Sequence, residues 1–260
     1  MEHADPFGGG TAFQAVGDHA RENYLRFPYT KGTRQEASFL REALGLPAHA
    51  RVLDVACGVG RHEPHVPWRV VGADLSRGLL EVAQRDSRAE AWVQADARHL
   101  PFRATFDGVD DDRSEESSST SRTPRRWRGF DGAWSVCEGA FGLLPDDAAH
   151  VAMLRSVRAC LKPGAPFLLS AMSVFAMCVD EHFDPLTNVM ATPQTVRAPD
   201  GKKRAFVVAA RAFTPREVIA MAREAGFEVE HVWGGITGAY ETTPLTVEHA
   251  EMLVLMRKPR

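Results

Sequence analysis

The 260-residue sequence predicts an α/β fold in which a mostly parallel β-sheet carries helices on both faces. Five short apolar runs recur at fairly regular intervals through the first two thirds of the chain, and several are separated by segments with helical periodicity. This alternation predicts right-handed crossovers and parallel strands. Apolar residues make up 44% and charged residues 25% of the chain, as in ordinary globular proteins.

The predicted strands are short apolar runs, as expected where a parallel sheet is covered on both faces. In chain order the first five read "ARVLDVA", "RVVGADLS", "AEAWVQAD", "FDGAWSV" and "PFLLSAM". Three further strand-like runs follow in the C-terminal third: "VVAARAF", "EVEHVWG" and "EMLVLMRK". The last third therefore departs from the regular alternation that precedes it.

Three helices carry clear signals. The segment "TRQEASFLREALGL" places apolar side chains on one face and ends at Gly45. A second pattern, "DDAAHVAMLRSVRACL", precedes a Lys-Pro-Gly turn. The third, "TPREVIAMAREAGF", begins with Thr214 as N-cap and Glu217 completing a capping box, and it stops at Gly226.

Two segments interrupt this pattern. Residues 173–204, after the fifth strand, have few helical signals and are interpreted as a small lid over the sheet. Residues 109–128 combine an acidic block, a serine run and an arginine block, which predicts a disordered insertion because too little apolar surface is available to offset ordering. Its basic end could contact nucleic acid, but a solvated insertion is favoured.

The stretch "VLDVACGVGRH", residues 52–62, indicates a cofactor site. Its glycines let the backbone approach a ligand closely. In the dinucleotide fingerprint a third glycine would stand where this chain has Glu63, which weakens a nicotinamide interpretation. A different arrangement fits better, because Asp74 closes the next strand and a carboxylate there can accept hydrogen bonds from two ribose hydroxyls.

With these residues in view, the chain resembles the class I S-adenosylmethionine-dependent methyltransferases. The segments that resemble their successive motifs are "LDVACGVGRH", "GADLS", "VQADARHLPF", "FDGAWSVCEGAFGLL" and "ACLKPGAPFLLS". The resemblance implies a Rossmann-like, mostly parallel seven-stranded sheet with an antiparallel C-terminal strand. It also implies an N-terminal cap segment at residues 1–33 and a methyltransferase domain at 34–260.

The same resemblance implies S-adenosyl-L-methionine as the cofactor and assigns candidate residues to it. The candidate cofactor contacts are Asp54, Ala56, Gly58, Gly60, Asp74, Leu75, Asp96, Ala97 and Trp134. Glu138, just past the fourth strand, is the candidate catalytic residue, although a polar strand end or an acceptor ligand are equal alternatives. The candidate acceptor contacts are Tyr29, Phe141, His182 and Tyr240. No metal site is expected, since His62, His65 and Cys57 lack tetrahedral spacing.

The expected activity is in-line methyl transfer to a small-molecule acceptor. The tetrapeptide N/D-P-P-Y/F of amino-methylating nucleic-acid enzymes does not follow the fourth strand, which disfavours a nucleic-acid acceptor. The alternatives are a non-catalytic cofactor-binding regulator and, less favoured, a nicotinamide-dependent oxidoreductase. A net charge of -3, no apolar run of bilayer length and no basic-apolar leader predict a cytoplasmic protein without a membrane partner.

Overall fold

The computed structural model describes residues 7–102, 129–137 and 139–260. The predicted insertion at 109–128 and the candidate catalytic Glu138 lie outside the described residues. The sequence repeats the tripeptide Phe-Asp-Gly at 106–108 and 130–132. In the structure the fourth strand begins at Gly132, the last residue of the second copy.

Within the described residues the main sheet has eight strands, in the order β10-β9-β11-β5-β4-β1-β2-β3. Its members are β1 (Arg51–Val55), β2 (Arg69–Asp74), β3 (Ala91–Gln94), β4 (Gly132–Ser135), β5 (Pro166–Met172), β9 (Glu228–Gly235), β10 (Thr243–Pro244) and β11 (Glu251–Arg257). The first five pair in parallel, and β11 lies antiparallel between β5 and β9. The predicted fold class is confirmed, with one strand more than the seven expected, and two-residue β10 forms the short outer edge.

Six α-helices occur in the described residues: α1 (Ala12–Ala20), α2 (Thr33–Leu44), α3 (Arg77–Asp86), α4 (Asp147–Cys160), α5 (Val174–Met177) and α6 (Pro215–Glu224). Helix α2 covers one face of the sheet, where Phe39 and Leu40 belong to the same apolar cluster as Val52. Helices α4 and α6 pack on the opposite face with Leu53. Neighbouring residues of β1 thus point to opposite faces, as strand geometry requires.

The crossover after β1 is unusually short. A single 3₁₀ turn, Glu63–His65, takes the place of an α-helix between β1 and β2. Pro64 lies within this turn and Pro67 follows it, and proline cannot supply the backbone N–H that a continuing helix needs. The crossover after β2 contains an α-helix, α3, which Ser76 caps by accepting a hydrogen bond from Leu79 N at 3.2 Å.

The segment after β5 forms a second, antiparallel sheet of β6 (Phe183–Asp184), β7 (Val189–Arg197) and β8 (Lys203–Arg211). It extends past the predicted end of the lid at residue 204, because β8 includes most of the strand-like run "VVAARAF". Val196 of β7 packs against Val16 and Ala20 of α1. The N-terminal segment and the hairpin therefore form one layer outside the main sheet. No helix among the described ranges is both long and apolar enough to traverse a bilayer.

Candidate active site

A cleft of about 750 Å³ opens at the carboxyl ends of the parallel strands. Its floor is formed by loops that follow β1, β2, β3 and β4, and residues of the N-terminal segment, among them Phe13, Gln14 and Tyr24, form its roof. The strand order reverses between β1 and β4, and open α/β sheets bind ligands at such a reversal. The topology alone therefore marks this cleft as the candidate site.

The loop after β1 has an unusual backbone. Ala56, Gly58 and Gly60 all have positive φ, at 60°, 57° and 65°. This left-handed region is uncommon for any residue except glycine. A β-carbon at Gly58 would lie 3.7 Å from the Tyr24 ring, so this position faces the roof of the cleft. The tight left-handed path thus brings backbone, not side chains, to the ligand space.

Asp74, at the end of β2, is held rigidly. One carboxylate oxygen accepts a hydrogen bond from Gly58 N at 2.8 Å, and the other accepts one from Ser76 N at 2.8 Å. Burial raises the pKa of Asp74 to about 6, although both backbone N–H groups act in the opposite direction. Each oxygen retains a lone pair for a ligand, because a carboxylate offers about four acceptor positions.

Asp96 lies at the end of the next strand and is paired with Arg98. The Asp96 carboxylate accepts hydrogen bonds from Arg98 N and from the Arg98 guanidinium, the shortest at 2.6 Å. Burial would raise the pKa of Asp96, but the hydrogen bonds and charge of Arg98 lower it below its usual range. Arg98 also donates to Gly9 O at 2.9 Å, so this acid is linked to the roof.

The N-terminal segment also forms hydrogen bonds with the loop after β2, next to Asp74. Asp18, in α1, accepts hydrogen bonds from Ser76 Oγ at 2.7 Å and from Gly78 N at 2.8 Å. Ser76 is the N-cap of α3 and Gly78 lies in its first turn, where a negative charge is favourable. The N-terminal segment is thereby attached to the loops that follow β2 and β3.

Beyond the loop after β1 lies a buried polar cluster centred on Glu36 of α2. The Glu36 carboxylate accepts hydrogen bonds from Arg61, from His62 Nε2 at 2.8 Å and from Gly238 N at 2.9 Å. Burial would raise the pKa of Glu36, but the hydrogen bond from His62 and the charge of Arg61 lower it. Burial lowers the pKa of His62 to about 4, so this imidazole is neutral at neutral pH.

Arg61 connects this cluster to the cleft. One of its terminal nitrogens contacts Glu36 and Thr33 Oγ1, and the other lies 2.7 Å from Cys137 Sγ, at the end of β4. Sequence reasoning did not assign Glu36 or Arg61, since a charged residue in an amphipathic helix reads as solvent-exposed. The only hint was the position of Arg61 within the glycine motif.

Three potential metal ligands meet in the same place, because the ligand atoms of Glu36, His62 and Cys137 lie within 4.8 Å of one another. The guanidinium of Arg61 contacts Glu36 and Cys137 directly. A metal ion would have to bind against this fixed positive charge. The cluster is therefore better described as a buried ion pair with hydrogen-bonded neighbours.

A smaller cleft of about 330 Å³ adjoins the main one and shares Tyr24, Ala56, Gly58 and Cys137 with it. Asp54 and Arg61 also line this second cleft. Burial and the charge of Glu63 raise the pKa of Asp54 well above its usual range, and burial raises the pKa of Glu63 to about 7. Burial and their mutual repulsion therefore favour the protonated form of this pair of carboxyl groups.

The candidate cofactor residues separate into three groups. Six of them line the main cleft: Ala56, Gly58, Asp74, Leu75, Asp96 and Ala97. Asp54 lines only the adjoining cleft. Gly60 and Trp134 line neither, which differs from the expectation. A β-carbon at Gly60 would meet the Trp92 ring at 2.2 Å, and Trp134 is fully buried in the cluster on the α2 face of the sheet.

None of the four candidate acceptor residues lines either cleft. Phe141 is buried between His150 and Phe213, Tyr29 stacks on Phe27, and His182 is exposed beside Asp180. Tyr240 is buried with its hydroxyl engaged by protein groups. Adjacent to the undescribed Glu138, the residues that do line the main cleft are Cys137, Gly139, Ala140, Leu143 and Leu144.

Comparison with known proteins agrees with this architecture. Residues 53–109 match a family model described as a methyltransferase domain. No curated protein matches the chain. The CcbJ methyltransferase from Streptomyces caelestis is 17% identical, with a TM-score of 0.67 over 94% of this chain and 98% of that chain.

Two further solved structures are similar over most of their length. The 1,6-didemethyltoxoflavin-N1-methyltransferase of Burkholderia thailandensis is 18% identical, with a TM-score of 0.57 over 100% of this chain and 93% of that chain. CalS10, an amino pentose methyltransferase from Micromonospora echinaspora, is 20% identical, with a TM-score of 0.53 over 88% and 92%. The family match thus covers residues 53–109, and the structural similarity shows that nearly the whole chain shares the fold of these methyltransferases.

Proposed function

We propose that this protein transfers a methyl group from S-adenosylmethionine to a small-molecule acceptor bound beneath the N-terminal segment. The observation that carries the proposal is the fixed Asp74 carboxylate at the strand-order reversal, with free acceptor capacity toward a roofed cleft. Such a carboxylate suits a pair of ribose hydroxyls.

The residues present fit the cofactor in chemical type. Leu79, Ala95, Ala97 and Leu100 provide apolar walls suited to a purine ring, while acids lie at the rim of the cleft. Asp74 would hold the ribose, and Asp96 with Ala97 would lie against the adenine. In the adjoining cleft, Arg61 would face the methionine carboxylate, because its guanidinium is the positive charge that lines this space.

A bound S-adenosylmethionine supplies a methyl group that its sulfonium already activates, so the protein mainly aligns the acceptor and excludes water. Phe13, Tyr24 and Leu143 are suited to both tasks, because they bring bulky side chains to the cleft from the roof and from the segment after β4. Glu138 is proposed to face the acceptor as a ligand or a base. Its neighbours Cys137 and Gly139 both line the cleft.

The proposal of a small-molecule acceptor is supported by the substrates that appear in the names of similar enzymes. One acts on an amino pentose and another on 1,6-didemethyltoxoflavin. We further propose that the predicted cap and lid close the acceptor side. Phe13 and Leu143 line both the main cleft and an apolar pocket formed with Val207, Val208 and Ala209 of β8.

Two measurements test the proposal in sequence. Calorimetry should show binding of S-adenosylhomocysteine and none of NAD, and the opposite result would favour an oxidoreductase. Incubation with S-adenosylmethionine and a panel of amino sugars, phenols and nitrogen heterocycles, followed by mass spectrometry, should reveal a product 14 mass units heavier. Cofactor binding without turnover of any acceptor would favour the non-catalytic regulator.

A further inference from the structure

The loop that follows β4 requires an external support. Cys137, its central residue, has φ of 60°, in the left-handed region that non-glycine residues seldom adopt. Such a conformation costs about 1–3 kcal/mol and persists only where surrounding contacts impose it. Because Cys137 and Gly139 line the cleft, the position of this loop shapes the site at which an acceptor meets the cofactor.

The support comes from Tyr240, more than one hundred residues later. Its hydroxyl oxygen accepts a hydrogen bond from the backbone N–H of Cys137 at 3.2 Å and lies 3.4 Å from Cys137 Sγ. Its hydroxyl proton is donated to Glu251 at 2.6 Å. Tyr240 is only 2% exposed, and its ring packs edge-on against Phe39.

Glu251 makes this support rigid. It begins β11, which pairs along its full length with β5 on one side and β9 on the other. Its carboxylate is 2% exposed and also contacts the Thr237 hydroxyl. The Tyr240 hydroxyl thus connects the backbone of Cys137 to β11, a strand that is paired on both edges.

We infer that Tyr240 is a positioning residue for methyl transfer, because its hydroxyl sets the backbone of Cys137 in the loop that lines the cleft. The inference rests on the proposed function. It replaces the sequence-based expectation that Tyr240 contacts the acceptor, since a ring at 2% exposure with both hydroxyl bonds used inside the protein has no surface to offer a ligand.

The chain offers a specific probe. It has four cysteines, so labelling with ¹⁵N-cysteine yields four backbone amide signals, which single Cys→Ser variants assign. In Tyr240→Phe, the Cys137 amide signal should shift and its hydrogen exchange should accelerate at least tenfold, while Cys57 and Cys160 keep their exchange rates. With an acceptor from the panel, kcat should fall about tenfold, and the Kd for S-adenosylhomocysteine should stay within twofold.

Phe39→Leu is the matched control, because it loosens packing against the same ring and leaves the hydroxyl in place. It should lower the melting temperature while keeping the Cys137 amide signal and kcat. If Tyr240→Phe does not fold, Glu251→Gln tests the same link and should give a smaller shift of the same signal and a smaller loss of kcat.

Three outcomes overturn the inference: an unchanged Cys137 amide in Tyr240→Phe, an altered amide with unchanged kcat, or an equal kcat loss in Phe39→Leu. Failure of the proposed function is a separate result, recognised by wild-type protein that binds no S-adenosylhomocysteine or turns over no acceptor. In that event, the Cys137 amide signals of wild type and Tyr240→Phe still show whether Tyr240 fixes the position of the loop.

Discussion

The two halves of the cleft are built in different ways. On the side of β2 and β3, Asp74 is oriented by backbone N–H groups two and sixteen residues away, and Asp96 by the backbone and side chain of Arg98, two residues away. On the side of β1 and β4, Glu36 bonds to a backbone group 202 residues away and Cys137 to a side chain 103 residues away. The first half follows from local sequence, and the second exists only once distant segments have packed together.

This difference also separates ligand recognition from stability. Asp74 and Asp96 are half-buried and available to a ligand, whereas Glu36 is fully buried among protein partners. Substitutions that break the buried Glu36 cluster should therefore mainly reduce the stability of the fold. Substitutions on the β2 and β3 side should mainly reduce cofactor affinity.

The largest effect is expected from Arg61→Leu, which leaves the Glu36 carboxylate buried without its cation. Breaking a buried pair in this way typically costs about 3–5 kcal/mol. The free energy of unfolding in urea should fall by that amount. Arg77→Leu is the control, because it removes an exposed pair with Glu81 and should cost less than about 1 kcal/mol. Similar losses in both variants would contradict the contrast between the two halves.

Gly60→Ala is expected to cost about 2–4 kcal/mol, because the added carbon meets Trp92 and the backbone is left-handed. Gly58→Ala should cost about 1–2 kcal/mol from the backbone alone, since its added carbon has space below Tyr24. Gly58→Ala should nevertheless weaken cofactor binding more than Gly60→Ala, relative to the stability that each variant loses. Calorimetry on both variants measures this difference. The reverse ranking of stabilities would mean that Trp92 does not occupy the space behind Gly60.

Asp74→Ala should weaken S-adenosylhomocysteine binding at least tenfold, since hydrogen bonds to a charged group contribute roughly 1.5–3 kcal/mol each. Asp86→Ala, at the exposed end of α3, provides the control and should bind normally. Calorimetry on both variants checks this expectation. Equal affinity of Asp74→Ala and wild type would remove Asp74 from the ribose site.

The smallest effect concerns pH. Burial raises the pKa of Asp74 to about 6, and a protonated carboxyl group can no longer accept two ribose hydroxyls as an anion does. Affinity for S-adenosylhomocysteine should therefore be constant above pH 7 and fall by up to about tenfold between pH 7 and 5. Calorimetry across that range should show a flat profile for Asp74→Asn. If Asp74→Asn instead shows the same pH dependence of affinity as the wild type, another group is responsible for the titration.

The features that sequence predicted well are those in which neighbouring residues determine the outcome. Capping residues marked α6, and the acid that closes β2 marked a carboxylate at the cleft. In each case the governing contacts lie within one turn or one strand-loop unit. The positions of Gly60 and Trp134 were less well predicted, because the direction in which each faces depends on what packs behind it.

By itself, the sequence determined the alternation of strands and helices, the glycine-containing loop after β1 and the acids that follow β2 and β3, because periodicity, turn chemistry and motif order are local properties. Only the tertiary structure decided that Glu36, a charged residue of an amphipathic helix, becomes fully buried. That burial depends on the close approach of Gly32 to Gly238, where a β-carbon at Gly32 would lie 2.3 Å from the Gly238 backbone. The same is true of Tyr240, which reaches Cys137 only because β11 inserts between β5 and β9 and carries Glu251 beneath the loop.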